Sequence, residues 1–208
     1  MFRDRHDAGE RLAERLLDLI GDETIVLGIP RGGIAVGRPI ARALEAPLDV
    51  AVPRKLGAPR NPELAIGAVA PGVRVLDEEL ISQLGIGSAY IESETERQLA
   101  EIDRRTRAYR GDRPLPVLSG RTVVLVDDGV ATGSTALAAL AWARAAGGTR
   151  LVFAAPVAPE TTASRIASAS DLTTILETPR SFRAVGEWYE RFDQMTDEEV
   201  RAALAAGV

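Results

Sequence analysis

The sequence contains no cysteine and only one histidine, His6, in 208 residues. Without cysteine the chain forms no disulfide and supplies no thiolate nucleophile or metal ligand, and one histidine excludes a multi-histidine metal site. The N-terminus has no apolar leader segment and no hydrophobic run reaches transmembrane length, so we expect a cytoplasmic protein. Hydrophobic residues make up 46% of the chain, which is enough for one α/β domain with a sizeable core.

An excess of positive charge and two common phosphate-binding motifs are also missing. The net charge of −5 argues against a nucleic-acid-binding protein, which would present a basic face. No Walker lysine follows the glycines at 129–135, and there is no GxGxxG motif. We therefore expect neither nucleic acid nor a membrane as a partner. An anionic small molecule is not excluded, because local charge decides that.

Short apolar runs alternate with helical patterns, which predicts an α/β fold. A helix over 8–20, with Asp7 as N-cap, is followed by five strands and three further helices. The strands are predicted at 24–29, 48–53, 122–126, 150–155 and 172–176, and the helices at 34–44, 134–146 and 160–168. A strand, helix, strand order predicts parallel pairing. We therefore expect an open parallel sheet of about five strands flanked by helices.

The middle and the end of the chain depart from this pattern. Residues 54–62 are basic and rich in proline and glycine, which predicts a loop. A hairpin (65–69 and 73–76, turning at Pro71-Gly72) and helices over 77–84 and 88–109 are predicted next. The second of these helices is heavily charged and is expected either to be solvated or to pack on a partner subunit. A Thr196–Glu199 capping box opens a last helix to about residue 206. The chain is thus divided into one core (1–178) with an insertion (57–118) and a C-terminal hood (179–208).

The most informative stretch runs from Val123 to Thr135 and reads VVLVDDGVATGST. An apolar strand leads into Asp127 and Asp128, and a loop of small and hydroxyl residues then opens a helix. Free amides in such a loop and the positive end of the helix favour a phosphate. The two carboxylates repel a phosphate and suit hydroxyls or a cation beside it. Together these features predict a ribose 5-phosphate site; the alternative is a plain strand-to-helix turn.

This stretch resembles the phosphoribosyl-diphosphate (PRPP) motif of the type I phosphoribosyltransferases. The resemblance implies that Asp127 and Asp128 hold the ribose hydroxyls, and that the loop binds the 5-phosphate through Ala131, Thr132, Gly133, Ser134 and Thr135. It is specific at 121–135 and covers the core at 22–56 and 121–176. The insertion and the tail lie outside it.

The resemblance also implies a diphosphate loop after the first strand and a basic mobile loop after the second. The diphosphate of PRPP is placed on Pro30, Arg31, Gly32 and Gly33, with Arg54 nearby and a cis peptide bond at Pro30–Arg31. Lys55 is the first candidate and Arg54 the second for a basic residue that a closing loop brings to the leaving group. The alternatives are an ordinary turn at 30–33 and a solvated basic loop at 54–62.

The acceptor is indicated less clearly. Ala131 stands where the hypoxanthine/guanine enzymes carry an acid, which disfavours a 6-oxopurine. Trp188, Tyr189 and Phe182 belong to an aromatic cluster, completed by Phe192, in a chain that is only 4% aromatic. These side chains either stack on a flat acceptor or form the core of the hood.

The implied reaction is displacement of diphosphate from PRPP by a nitrogen of a nucleobase or similar small acceptor. The expected catalytic residues are Asp127, Asp128, Lys55 and Arg31. Mg²⁺ is the expected cofactor, held by Asp127 and Asp128 directly or through water, because it prefers oxygen ligands and keeps several waters. A homodimer is expected from family habit and from the charged helix at 88–109.

Three other functions compete with this interpretation. A PRPP-binding regulator with little catalysis would normally carry a nucleic-acid-binding surface, which the acidic charge argues against. A PRPP-forming diphosphokinase would have two similar halves, and this chain has one. A flavodoxin-like electron carrier would place its phosphate loop after the first strand and without two acids.

Overall fold

The computed structural model describes residues 1–18, 21, 23–111 and 113–205, without the side chain of Glu63. Ile20 and Ala206, at the predicted ends of the first and last helices, lie outside the described residues. Within the described chain no helix is both long and apolar enough to cross a bilayer.

A five-stranded parallel sheet forms the centre of the molecule. Its strands are β1 (Thr24–Gly28), β2 (Leu48–Val50), β6 (Thr122–Val126), β7 (Arg150–Val157) and β8 (Leu172–Glu177), in the spatial order β2-β1-β6-β7-β8. Every residue of β1 is buried, as expected of a parallel strand covered on both faces. The predicted fold class is therefore confirmed.

Helices cover both faces of this sheet. On one face α1 (Arg5–Leu16) and α2 (Gly32–Ala43) pack on Val26, Val124 and Val126. On the other face α5 (Ser134–Ala145) and α6 (Glu160–Ala167) pack on the alternate strand residues, including Leu125 and Phe153. The two-residue alternation of strand side chains supplies an apolar surface to each layer.

The first helix begins earlier than predicted. Asp4, not Asp7, is its N-cap, and the Asp4 carboxylate accepts a hydrogen bond from the Asp7 amide at 3.0 Å. Asp7 is buried in the first turn of the helix, where its carboxylate accepts hydrogen bonds from the backbone and side chain of Arg3. Either carboxylate could accept a hydrogen bond from a free amide of the first turn, so the sequence alone could not decide which aspartate is the N-cap.

The insertion folds into a second sheet and two helices. Strands β3 (Arg54–Ala58), β4 (Asn61–Ala70) and β5 (Val73–Leu76) are antiparallel, and α3 (Glu78–Leu84) and α4 (Ser88–Arg110) follow. The hairpin and both helices are where the sequence predicts them. An apolar cluster joins β3 and β4 to α4 and to the last helix, α7 (Asp197–Ala205), which opens with the predicted Thr196–Glu199 capping box.

The predicted basic loop at 54–62 is wrong, because residues 54–58 form strand β3. The Pro59-Arg60 turn and a bulge at Gly57 account for the proline and glycine content. A side chain on Gly57 would lie 2.7 Å from the Pro62 carbonyl oxygen, so this close approach requires glycine. Arg54 and Lys55 therefore belong to an ordered sheet.

The C-terminal hood closes onto the N-terminus. A short 3₁₀ helix (Val185–Trp188) precedes Tyr189, which forms a parallel bridge with Phe2. Phe2 and Tyr189 are buried together with Ala8 of α1. The hood thus places the N-terminal helix beside the ends of the central strands.

Candidate active site

The loops after β1 and β6 meet at one edge of the central sheet. Gly28 pairs with Val126, so both strands end at the same level, and the Ile29 amide donates to the Val126 carbonyl at 2.8 Å. The Pro30–Arg31 peptide bond is cis, as expected. Ligands of open α/β sheets bind at such strand ends.

Gly32 and Gly33 bring the first loop against the acid pair. A side chain on Gly32 would lie 1.7 Å from Asp128 Oδ2, and one on Gly33 would lie 2.3 Å from the Val126 carbonyl oxygen. Both positions therefore require glycine, and the predicted diphosphate loop is in direct contact with Asp128.

The loop from 131 to 135 has unpaired amides, and two of its carbonyl groups accept hydrogen bonds from side chains of α6. Thr162 Oγ1 donates to the Ala131 carbonyl at 2.8 Å, and Arg165 donates to the Thr132 carbonyl at 3.2 Å. Gly133, at φ +80°, is the N-cap of α5 without a side-chain cap. Within the described residues no acceptor faces the amides of 131–135. Free amides at a helix N-terminus are able to bind an anion, which is the role that the sequence predicts for this loop.

Asp127 and Asp128 lie side by side but in different environments. The Asp128 amide donates to Asp127 Oδ1 at 2.9 Å. Burial raises the pKa of Asp127 well above its usual range, and the neighbouring charge of Asp128 raises it further. Asp128 instead accepts from Arg5 Nε at 2.7 Å, with side chains only 17% and 13% exposed. Asp128 is thus the ion-pair partner of Arg5, whereas burial shifts the pKa of Asp127 upward.

Tyr189 supports the acid pair and is not an open stacking surface. Its hydroxyl donates to the Asp128 carbonyl at 2.6 Å. Its ring stacks on Phe192 at 4.8 Å between centroids, contacts Phe2, and leaves the residue 6% exposed. The prediction that Tyr189 stacks on an acceptor is therefore corrected: the ring belongs to the core of the hood. Trp188 and Phe182 are half-buried.

Arg31 lies apart from the acid pair. Its guanidinium is 4.0 Å from Asp197 Oδ1, and both side chains are about 40% exposed, at 42% and 38%. Tyr109 also donates to Asp197, at 3.2 Å. The first loop therefore presents its glycines toward Asp128, while the Arg31 side chain reaches the start of α7.

A cavity of about 420 Å³ separates this edge from the insertion. Five of the predicted site residues line it: Pro30, Arg54, Lys55, Thr132 and Thr135. Helix α4 supplies a wall that sequence analysis missed, formed by Tyr90, Glu94, Arg97, Gln98 and Arg105. Gly32, Gly33, Asp127, Asp128 and the hood aromatics do not line it.

The charged helix α4 is not fully solvated, because one of its faces packs within the chain. Glu94, Thr95 and Gln98 are buried, and Tyr90 donates to the Gly57 carbonyl of β3 at 2.8 Å. The polar face packs on the chain's own sheet, which removes one argument for a dimer. The only signal in the sequence was the small number of apolar positions on so long a helix.

The site offers two carboxylates to a metal ion and no larger cluster. In the described part of the chain, no group of three or more histidine, cysteine, aspartate or glutamate side chains is placed to hold an ion. Any cation here would draw most of its ligands from substrate and water, a mode that suits Mg²⁺.

A parallel sheet whose edge combines an amide-lined loop, a carboxylate pair and a glycine loop defines a class of α/β protein equipped to bind a sugar phosphate. The sequence model of the phosphoribosyl transferase domain matches residues 3–190. The chain belongs to this family. The predicted family is thus confirmed.

Relatives agree with this assignment. Two provisionally named phosphoribosyl transferases of Mycobacterium tuberculosis, from strains CDC 1551 / Oshkosh and H37Rv, are each 45% identical over 205 residues. These matches cover 98% of this chain but 46% of each relative, so the chain spans about half the length of the curated relatives it matches.

Solved structures are also similar to this chain, one of them over nearly its whole length. The crystal structure of TT1426 from Thermus thermophilus is 43% identical with a TM-score of 0.88, and the match covers 99% of this chain and 98% of that one. The AQ2163 protein from Aquifex aeolicus is 13% identical with a TM-score of 0.51 over 83% of this chain and 73% of that one, which shows likeness of fold alone.

Proposed function

We propose that the chain transfers the 5-phosphoribosyl group of PRPP to a nitrogen of a nucleobase or similar small acceptor and releases diphosphate. One observation carries this proposal: the unpaired amides of 131–135 lie at the same strand ends as Asp127, Asp128 and the glycine loop. A 5-phosphate on the amides brings the sugar to the carboxylates. Family membership supports the same chemistry.

The predicted site residues, apart from Tyr189, have a role in that reaction. Asp127 and Asp128 hold the ribose hydroxyls, and Ala131 to Thr135 hold the 5-phosphate. The glycine loop, with Arg54 and Lys55 across the cavity, takes up the negative charge that grows on the leaving diphosphate. Preformed donors at such a position stabilise a transition state most effectively. Arg31 joins them only if its side chain leaves Asp197.

Mg²⁺ completes the proposal. Asp127 and Asp128 fit an ion that keeps several waters, provided that PRPP supplies further oxygens. The ion would neutralise charge on the diphosphate. Trp188 and Phe182 are the candidates for contact with the acceptor, and Ala131 disfavours a 6-oxopurine. A homodimer acting in cytoplasmic nucleotide metabolism is also part of this proposal.

A panel of bases incubated with Mg²⁺ and PRPP tests the function, with release of diphosphate as the readout. Calorimetry with ribose 5-phosphate tests the site independently of the acceptor. Binding of ribose 5-phosphate that Asp128→Asn weakens supports the assignment. A protein that binds neither ribose 5-phosphate nor PRPP contradicts it.

One observation favours a second candidate, a PRPP-binding regulatory protein with little catalysis. Arg5 neutralises Asp128, the carboxylate that a ribose hydroxyl would need. A ligand that displaces Arg5 would also release a contact of the N-terminal helix. The two candidates separate on turnover: a regulator binds PRPP but releases no diphosphate with any acceptor.

A further inference from the structure

Helix α4 carries a buried polar pair, Glu94 and Gln98, on the wall of the cavity. The two residues are 6% and 5% exposed. Glu94 accepts two hydrogen bonds from Arg97, at 2.7 and 2.8 Å, and one from Gln98 Nε2 at 2.8 Å. Burial raises the pKa of Glu94, but these hydrogen bonds outweigh burial and hold it below its usual value. Polar groups are rarely buried without such partners.

The amide of Gln98 fixes Arg54. Because Gln98 Nε2 donates to Glu94, its Oε1 is the free acceptor, and Arg54 Nε donates to that oxygen at 2.8 Å. Only Nε of the guanidinium is used in this contact. No carboxylate of the described residues pairs with the two terminal nitrogens of Arg54. A guanidinium held by Nε presents its remaining fork to a ligand.

Positive charge outweighs negative charge around Arg54. Burial lowers the pKa of Arg54, and the nearby Arg105 guanidinium lowers it further. Among the described side chains of the cavity lining, Arg54, Arg97 and Arg105 face one carboxylate, Glu94, and Glu101 outside the lining pairs with Arg105. Thr132 and Thr135 of the phosphate loop line the same cavity. An anionic group beside Arg54 would relieve this imbalance.

We propose that Gln98 and Glu94 are positioning residues that hold Arg54 to bind the diphosphate group of the ligand. The inference rests on the proposed function and adds to it a part of the insertion that the family motif does not include. The insertion is therefore a fixed wall of the diphosphate site, built on the antiparallel sheet.

The test measures binding of inorganic pyrophosphate with Mg²⁺ to the full chain by calorimetry. Gln98→Met keeps the volume and removes both amide hydrogen bonds. We expect it to weaken pyrophosphate binding about tenfold, the size of one charge-assisted hydrogen bond. Arg54→Met should have at least this effect. In the Arg54→Met background, Gln98→Met should add nothing, because Gln98 acts through Arg54.

Ribose 5-phosphate serves as the second probe, and exposed Gln83 of α3 gives a matched control. Neither Gln98→Met nor Gln83→Met should change ribose 5-phosphate affinity, and Gln83→Met should leave pyrophosphate affinity unchanged. An equal loss from Gln98→Met with and without Arg54 would mean a merely structural role and would overturn the inference.

Comparing the two probes, pyrophosphate and ribose 5-phosphate, also separates a failure of this inference from a failure of the proposed function. If the wild type binds ribose 5-phosphate but Arg54→Met leaves pyrophosphate affinity intact, only the positioning inference fails. If the wild type binds neither probe, both fail. Should Gln98→Met not fold, an unchanged pyrophosphate affinity in Arg54→Met would still overturn the inference, because that variant leaves the Glu94–Gln98 contact in place.

Discussion

Arg5 and Asp128 lie 123 residues apart in the chain and form a mostly buried ion pair, in which Arg5 Nε donates to Asp128 Oδ2 at 2.7 Å. Arg5 also donates to the Asp193 carbonyl at 2.7 Å, and its guanidinium lies 4.0 Å from the centroid of the Phe192 ring. The N-terminal helix and the hood thus converge on one of the two carboxylates of the site.

Arg5→Met should lower stability and raise ligand affinity. Loss of the pair leaves the Asp128 carboxylate short of a partner, which we expect to cost about 1–3 kcal/mol in the free energy of unfolding. The same change frees Asp128 for a ribose hydroxyl. Affinity for ribose 5-phosphate should therefore rise, about tenfold for each 1.4 kcal/mol of competition removed.

Urea unfolding and calorimetry measure these two effects. Arg15→Met, an exposed arginine of the same helix, is the control and should change neither. A fall in ribose 5-phosphate affinity in Arg5→Met would show instead that Arg5 assists binding.

Asp127 should make stability depend on pH in the direction opposite to an ion-paired acid. Its pKa is raised in the folded state, so between the ordinary aspartate value and the folded value the native protein binds more protons than the unfolded chain. Stability from this group therefore falls as pH rises through that window. Asp127→Asn removes the dependence.

Urea unfolding from about pH 4 to about pH 8 checks this prediction. The free energy of unfolding of Asp127→Asn minus that of the wild type should grow with pH. A difference that is constant across the range would argue that Asp127 ionises normally in the fold. In either case Asp127→Asn should weaken binding of Mg²⁺-PRPP, because a carboxylate that we propose to hold the ribose is lost.

The sequence predicted the parts of the site that depend on neighbours in the chain. The stretch from Val123 to Thr135 is one strand, one loop and one helix start, so local preferences determine its shape. The glycine loop after β1 is equally local, and the parallel order of β1 and β6 brings the two together.

The parts that depend on distant partners were missed. Arg54 lies on a strand because β4 pairs with it, and a glycine bulge with a proline turn looks like a loop without that partner. The contact between Arg5 and Asp128 depends on tertiary packing that brings α1 and the hood to the end of β6. Gln98 and Glu94 are polar residues on a charged helix, and only tertiary packing reveals that they are buried.

Thr162 should matter to the loop at 131–135 although it is not among the predicted binding residues. Its hydroxyl donates to the Ala131 carbonyl at 2.8 Å, and it is 5% exposed. Thr162→Val keeps the shape and removes the donor, which we expect to cost about 1 kcal/mol of stability. The loop carbonyl is then free to turn, so affinity for ribose 5-phosphate should fall several-fold.

Thr161→Val is the matched control, because Thr161 is the exposed neighbour on the same helix. Thermal unfolding and calorimetry give the two readouts. Equal effects of the two substitutions would assign the loss to helix α6 in general and not to the loop.

Glu101 should contribute to stability at neutral pH and not in acid. Hydrogen bonds from Arg104 and Arg105, at 2.6 to 2.9 Å, lower the pKa of Glu101 to about 2. A depressed pKa gives stability that is present above the ordinary glutamate value and is lost as pH falls through the folded value. The contribution of Glu101 to the free energy of unfolding is therefore lost between about pH 5 and about pH 2.

Glu101→Gln tests this dependence by urea unfolding at about pH 7 and about pH 3, with exposed Glu96 of the same helix changed to Gln as control. Because the pair is near the surface, we expect a loss of about 1 kcal/mol at neutral pH. The loss should shrink at the acidic pH, where the unfolded chain is already protonated. A loss that is equal at both pH values would mean that the arginines bind Glu101 through packing and not through charge. That result would also weaken the view that Arg105 keeps enough positive charge beside Arg54 to favour an anion.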